Sequence, residues 1–184
     1  MSRLKYGRKV KKGDNLGLIH IYTGSGKGKT TAALGLAVRA VGHNFKIAIV
    51  HFMKIWDYGE VRSLKKLGID LFRYGTTELI DPENPSPVDF EQAKLALEKA
   101  QALVREGGYD ILILDEITVA ISFGLISLQE VVDLLENKPE NLELILTGRT
   151  CPEALIERAD LISRIDEIKH PYQKGLQARK GIEF

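Results

Sequence analysis

The feature that most constrains this chain is a short loop, rich in glycine and lysine, between two segments of different periodicity. Residues 23–31 read TGSGKGKTT. They follow the apolar run of residues 16–22, which predicts a strand, and they precede residues 34–41, whose apolar positions recur at helical spacing. A strand, a glycine-rich loop and a helix in this order predict a phosphate-binding loop, or P-loop, in an α/β domain.

The residue types in this loop suit a nucleoside triphosphate. Glycines leave backbone N–H groups open to phosphate oxygens, and the positive end of the following helix strengthens the field there. Lys29 supplies a charge for the outer phosphates, and the Thr30 hydroxyl stands where a P-loop coordinates magnesium. The predicted nucleotide-binding residues are Gly24, Ser25, Gly26, Lys27, Gly28, Lys29, Thr30 and Thr31.

The glycine spacing departs from the standard P-loop. The consensus places a glycine five residues before Gly28, where this chain has Thr23, and Gly24 comes one residue later. A flexible glycine turn with no ligand is the alternative interpretation. The strand before the loop, the helix after it and the GKTT run favour nucleotide binding.

Two acids and an arginine follow other predicted strands. Residues 111–114 (ILIL) predict a buried strand that ends at Asp115 and Glu116, and a carboxylate in that place positions the magnesium ion of P-loop proteins. Arg149 follows the predicted strand of residues 142–147 and is a candidate phosphate clamp at the same sheet edge. The alternatives are a structural role for both acids and a surface salt bridge for Arg149.

The rest of the chain alternates between predicted strands and helices. This alternation, with near-continuous apolar strands, predicts a single-domain, three-layer α/β fold of the P-loop NTPase (RecA) type with a mostly parallel central sheet. Residues 75–87 hold three prolines and predict a long loop that acts as a lid. The further predicted strands are residues 46–52, 69–74, 109–115 and 161–168, and the helices are residues 59–67, 88–106, 128–136 and 152–159.

Charge and composition limit the other possibilities. Residues 1–15 form a predicted basic arm ahead of a domain at residues 16–184, which has no pattern of basic and aromatic residues for nucleic acid. The single Cys151 excludes an internal disulfide, and no apolar run reaches the length of a membrane span. We therefore expect a cytoplasmic protein with neither a nucleic-acid nor a membrane partner.

Several sequence blocks together resemble one family. The chain contains TGSGKGKTTAALGLAVRAVGH, then VHFMK with GE shortly after it, ILILDEIT, LILTGR and the ending IKHPYQKGLQARKGIEF. In this order they resemble the P-loop corrinoid adenosyltransferases, whose P-loop has the same short glycine spacing. The resemblance implies an enzyme in which cobalt(I) of a corrinoid attacks the 5′ carbon of ATP and triphosphate leaves. It also implies a homodimer, a flavin-dependent reductant partner and an N-terminal arm over the active site.

The resemblance assigns roles to the matching residues. Residues 24–31 would hold the triphosphate of ATP, and Thr30 and Glu116 would hold magnesium, with Asp115 adjacent. The nucleophile is the cobalt itself, so the implied reaction needs no general base. The implied catalytic residues are Lys29, Glu116 and Arg149.

One segment departs from the family pattern. Many members carry a Phe and a Trp after the third strand that help to displace the lower axial ligand of cobalt, whereas residues 74–82 here read YGTTELIDP. Tyr74, Leu79, Ile80 or a residue from elsewhere would have to substitute.

Two other functions stay open at this level. A P-loop kinase would transfer the γ-phosphoryl group and release ADP. A binding protein that had lost turnover would hold nucleotide and corrinoid without releasing triphosphate.

Overall fold

The computed structural model describes residues 16–184, which form a six-stranded, all-parallel sheet with the order β3-β2-β4-β5-β1-β6. The strands are β1 (Ile19–Thr23), β2 (Ile47–His51), β3 (Asp70–Arg73), β4 (Ile111–Asp115), β5 (Glu143–Thr147) and β6 (Leu161–Arg164). The helices are α1 (Lys29–Val41), α2 (Gly59–Lys66), α3 (Pro87–Glu106), α4 (Ile117–Ser122), α5 (Leu128–Glu136) and α6 (Glu153–Ile156), and a short 3-10 turn spans Pro171–Lys174.

The central strands are covered on both faces. Every residue of β2, β4 and β5 is buried, as expected for near-continuous apolar strands in a parallel sheet. Alternate side chains point to opposite faces, so Ile113 packs with Ala33 and Ala37 of α1, while Leu112 packs with Ala96 of α3. The predicted three-layer α/β architecture is confirmed.

Helix α3 shows how local sequence sets the bounds of an element. Ser86 and Asp89 form a capping box, Pro87 occupies the first turn, and Gly107 ends the helix with a φ of 69°. The prediction of a helix over residues 88–106 is therefore correct to within one residue at its start.

Two parts of the architecture differ from the predictions. Helix α4 was not predicted, because its sequence ITVAIS is rich in β-branched residues with low helix propensity, and burial of Ile117 and Val119 stabilises it instead. The last strand was predicted over residues 161–168 but ends at Arg164. Residues beyond it leave the sheet because the Ile165 carbonyl accepts a hydrogen bond from the Gly26 N–H (2.8 Å).

The strand order brings the predicted site residues together. β1 lies beside β5, and β5 lies beside β4, so the P-loop, the end of β5 and the acids after β4 meet at one carboxyl edge. Residues 1–15 lie outside the described part of the chain, so the basic arm stays a prediction. No helix among residues 16–184 is long and apolar enough to cross a membrane.

Candidate active site

The P-loop connects β1 to α1 in a conformation that requires glycine. Gly28 caps α1 with a φ of 127°, and Gly24 has a φ of 109°, both in the region that side chains rarely adopt. A Cβ atom at Gly24 would also lie 2.3 Å from the Ile165 carbonyl oxygen. The short spacing therefore fits the loop against the chain that follows β6, in addition to leaving room for phosphate.

The side chain of Lys29 folds back into the P-loop. Its side chain is buried, and Nζ donates a hydrogen bond to the Gly26 carbonyl (2.7 Å). Burial lowers the pKa of Lys29, and the charge of Glu116 partly offsets that effect. The ammonium is thus held at the centre of the loop, where the outer phosphates of a nucleotide would bind.

Asp115 is the centre of a buried polar network at the end of β4. Its Oδ1 accepts hydrogen bonds from the hydroxyls of Thr30 (2.9 Å) and Thr147 (2.8 Å). Its Oδ2 pairs with Lys54 Nζ at 3.0 Å. Burial, the largest single effect, would raise the pKa of Asp115, but the Lys54 ammonium together with the hydrogen bonds from Lys54 and Thr147 holds the pKa below its usual value. Asp115 is therefore ionised and fully engaged.

Lys54 also belongs to this network, although it was not among the site residues predicted from the sequence. It follows β2, and its Nζ also lies 3.4 Å from the Thr30 hydroxyl. Burial would lower the pKa of Lys54, but the charges of Asp115 and Glu116 raise it. The sequence signal was a lysine three residues after the end of a buried strand, in the block VHFMK; its role depends on β2 pairing with β4.

Glu116 adopts a strained backbone conformation at the start of α4. Its φ of 66° is left-handed, which is uncommon outside glycine, and its N–H donates to the Thr147 hydroxyl (2.8 Å). Burial and the charge of Asp115 raise the pKa of Glu116. Glu116 thus stands beside Asp115 and within the fields of Lys29 and Lys54, whereas Thr30 and Asp115 are in direct contact.

Arg149 contributes to the site through its backbone and its charge. Its carbonyl oxygen accepts hydrogen bonds from the Gly24 N–H (3.1 Å) and the Thr23 hydroxyl (3.3 Å), which ties the end of β5 to the P-loop. The residue is exposed, and its charge contributes to lowering the pKa of Lys29. The guanidinium therefore faces the same edge as the P-loop lysine.

His51 lies behind Asp115 without joining its hydrogen bonds. The ring is completely buried, its Nε2 is 3.8 Å from Asp115 Oδ2, and neither nitrogen has a hydrogen-bond partner within residues 16–184. Burial lowers the pKa of His51 to about 4, so the ring is neutral at physiological pH. It packs beneath the network as an uncharged group.

The C-terminal residues lie across the P-loop, an arrangement that was not predicted from the sequence. Lys27 Nζ pairs with Glu183 (2.7 Å) and donates to the Ile182 carbonyl (3.3 Å). A hydrogen bond from Arg179, together with Lys27, lowers the pKa of Glu183 to about 2. The C-terminal residues therefore lie at the nucleotide edge.

The loop of residues 75–86 begins beside Lys54. The Lys54 N–H donates to the Tyr74 carbonyl (2.7 Å), and a Cβ at Gly75 would lie 2.7 Å from the Met53 backbone. Of the residues proposed to replace the missing aromatic pair, Tyr74 and Ile80 are partly buried against the core, and Leu79 is 93% exposed. These three side chains do not form one cluster in the core.

Known proteins are similar in sequence to this chain over most of its length. The profile of the family described as "ATP:corrinoid adenosyltransferase BtuR/CobO/CobP" matches residues 15–184. A corrinoid adenosyltransferase of Escherichia coli (strain K12) is 35% identical over 93% of this chain and 87% of its own length. A corrinoid adenosyltransferase of Sinorhizobium sp is 38% identical over 94% of this chain and 83% of its own length. The corrinoid adenosyltransferase CobA of Salmonella typhimurium is 32% identical over 91% of this chain and 86% of its own length.

A solved structure shares the fold at low sequence identity. The flagellar accessory protein FlaH from Methanocaldococcus jannaschii superimposes with a TM-score of 0.56 and 14% identity, over 81% of this chain and 71% of its own length. At this identity the likeness concerns the fold alone.

Proposed function

The chain belongs to the ATP:corrinoid adenosyltransferase family, and from that membership we propose that it transfers the 5′-deoxyadenosyl group of ATP to cobalt(I) of a corrinoid and releases triphosphate. The observation that carries the proposal is the convergence of the P-loop, Lys29, and the Thr30–Asp115 pair at one sheet edge. In this displacement negative charge grows on the departing triphosphate. A site that places cations and N–H dipoles around that charge stabilises the transition state.

The chain's own residues divide this work by position. The N–H groups of the loop and the positive end of α1 would bind the phosphates. The Lys29 ammonium would stabilise the negative charge that develops on the leaving triphosphate. Arg149 lies at the same edge and would contact phosphate from the exposed side. The network around Asp115 fixes Thr30, so the binding geometry exists before the nucleotide arrives.

Magnesium fits the donor groups of this site. Thr30, Asp115 and Glu116 offer hydroxyl and carboxylate oxygens, the ligands that Mg²⁺ prefers, and Thr30 and Asp115 are 2.9 Å apart. Within residues 16–184 no three His, Cys, Asp or Glu side chains converge on one metal position. Magnesium would therefore take its other ligands from phosphate and water, and when bound it would supply positive charge to the leaving triphosphate.

The direct test is a reaction with defined products. The protein is incubated anaerobically with ATP, magnesium and chemically reduced cobalamin, and the products are followed by absorption spectroscopy and by phosphate analysis. We expect a light-sensitive cobalt–carbon product together with one triphosphate per turnover. ADP in place of triphosphate would identify a kinase, and binding of both ligands without triphosphate would identify a binding protein; either result contradicts the proposal.

Three features of the working enzyme remain part of the proposal. A homodimer is supported by β6, an edge strand with Leu161 and Ile162 each 40% exposed, and sedimentation of the purified protein checks it. A flavin-dependent reductant would supply the electron that forms cobalt(I). The reduction of cobalt and the transfer of the adenosyl group would both take place in the cytoplasm.

A further inference from the structure

Three aromatic side chains from two distant parts of the chain meet beside the nucleotide edge. Trp56 and Tyr58 follow β2, and Phe184 is the last residue; together they line a cavity of about 340 Å³. Ala178 and Asp57 complete the lining. We call this cavity the aromatic pocket. None of its residues was singled out from the sequence.

One wall of the aromatic pocket makes polar contacts with residues outside the pocket. Arg73 donates to the carbonyl oxygens of Ile55 (3.0 Å) and Trp56 (3.3 Å), which fixes the segment after β2. Among the side chains of the lining, the Asp57 carboxylate is paired with Arg62. The rings therefore present a mostly apolar surface.

The other wall of the pocket is anchored to the P-loop. The Gly181 N–H donates to the Phe184 carbonyl (2.6 Å), and the neighbouring Glu183 pairs with Lys27 (2.7 Å). On the opposite wall the Tyr58 ring lies 5.7 Å from Lys54 Nζ, which contacts Asp115. Each wall of the pocket is thus linked to the triphosphate site through one or two side chains, Glu183 and Lys27 on one side and Lys54 on the other.

The exposure of these apolar rings indicates a binding site for a ligand. Trp56 is 52% exposed and Phe184 is 44% exposed, although both lie in a concave site where apolar ligands are usually bound. Burial of such rings against a flat apolar partner is favourable, and stacking adds to it. The loop of residues 75–86, by contrast, has no aromatic side chain to offer.

We propose that the aromatic pocket, Trp56, Tyr58 and Phe184, is a binding surface for the corrin ring. The inference rests on the proposed function, because the 5′ carbon of ATP and the cobalt must meet at this edge. A corrin is a broad, mostly apolar macrocycle and suits a wall of rings. An adenine base could also stack on these rings and bond to the Tyr58 hydroxyl, and the affinity for magnesium ATP in the test below distinguishes the two ligands.

The test compares binding of two ligands to two variants. Trp56→Ala and Phe184→Ala each remove one ring, and Leu67→Ala, which is 38% exposed just before β3 at the opposite sheet edge, is the control. Affinity for cob(II)alamin is measured by anaerobic calorimetry with ATP present, and affinity for magnesium ATP is measured without corrinoid. We expect the corrinoid Kd to rise about tenfold or more in each ring variant, with the ATP Kd within twofold of wild type.

The possible failures are distinguishable. If wild-type protein yields no adenosylated corrinoid, the proposed function is wrong. If the wild type turns over and both ring variants bind cob(II)alamin as tightly as the Leu67→Ala control, the aromatic pocket is not the corrin surface. A raised ATP Kd in either ring variant also overturns the proposal, since it would assign the rings to the nucleotide.

Discussion

The phosphate side of the active site and the aromatic pocket beside it are built on opposite principles. On the phosphate side, Asp115 is fully buried and has partners for both carboxylate oxygens. In the aromatic pocket, Trp56 and Phe184 are about half exposed, and the rings come from segments far apart in sequence. The first region is complete before a ligand binds, while the second gains its apolar contacts only with one.

This difference follows from the chemistry that each region handles. A buried carboxylate is costly unless it is paired, so a phosphate site must have its charges neutralised within the protein itself. An exposed ring costs little in the free protein and contributes its binding energy when a flat ligand covers it. Substitutions should therefore affect folding and catalysis on the phosphate side, and ligand affinity alone in the aromatic pocket.

The largest expected effect comes from breaking the buried pair. Lys54→Met leaves the buried Asp115 carboxyl without its cation, and loss of one partner of a buried pair costs about 3–5 kcal/mol. We expect the free energy of unfolding in urea to fall by about that amount. Lys66→Met, at the exposed end of α2, is the matched control. A change below about 1 kcal/mol would show that Lys54 does not compensate Asp115.

Loss of the P-loop lysine should affect catalysis almost as strongly. Lys29→Ala removes a preorganised charge from the leaving triphosphate, which on the scale of such contacts costs about 2.7–4 kcal/mol, or about 10²–10³ in kcat. The rate is measured at saturating ATP with pre-reduced corrinoid, and Lys94→Ala on the exposed face of α3 is the control. Near-normal turnover of Lys29→Ala would refute the assignment.

A third substitution tests a buried carboxylate far from both regions. Glu143 begins β5, where it pairs with His20 (2.9 Å) and accepts the N–H groups of Gly17 and Leu18 (2.8 Å each). Burial alone would raise the pKa of Glu143, but these hydrogen bonds lower it. Because the folded pKa is depressed, the stabilisation is present above the unfolded pKa of about 4.3 and is lost as the pH falls through the folded pKa.

Glu143→Gln should therefore lower stability near neutral pH by about 1.5–3 kcal/mol and flatten its decline in acid. Urea unfolding between about pH 3 and 7 measures both effects. Under conditions in which the variant is folded, its turnover rate should equal that of the wild type. Glu143 lies at the amino end of β5, and the active site lies at the carboxyl end. A parallel loss of kcat would mean that the two ends of the sheet are coupled.

Glu116→Gln should have a smaller effect, confined to the metal. The substitution keeps the shape of the residue and its N–H bond to Thr147 but removes a carboxylate. We expect the magnesium concentration for half-maximal activity to rise about tenfold. The midpoint of thermal unfolding is recorded in parallel and should change little. An unshifted magnesium titration would leave Thr30 and Asp115 as the proposed ligands.

The smallest effect is a preference between two starting states of the corrinoid. Because the loop of residues 75–86 lacks an aromatic pair, we expect cobalt(I) to be adenosylated more readily than cobalt(II) cobalamin that retains its lower ligand. The assay uses equal corrinoid concentrations with a mild reductant for cobalt(II), and a corrinoid without the lower base serves as the control. Equal rates would mean that another group displaces the axial ligand.

The same contrast separates what the sequence could predict from what it could not. The P-loop, the buried strands and the Asp115–Glu116 pair are read from residues adjacent in the chain, and the predicted α/β fold was confirmed. Lys54 and the aromatic pocket depend on the strand order and on where the C-terminal residues lie, which local periodicity does not encode. Helix α4 escaped prediction because burial overrides the low propensity of its residues.

The position of β1 has a consequence for folding during synthesis on the ribosome. β1 lies near the start of the chain, but it pairs with β5 and β6, whose residues follow about 120 or more positions later. At ribosomal rates of about 5–20 residues per second, the strand that precedes the P-loop waits roughly 6–25 s for its neighbours. Until then its backbone N–H and C=O groups have no partner strand and its apolar side chains are uncovered, so a nascent chain stalled before Glu143 should bind chaperones and should not retain ATP.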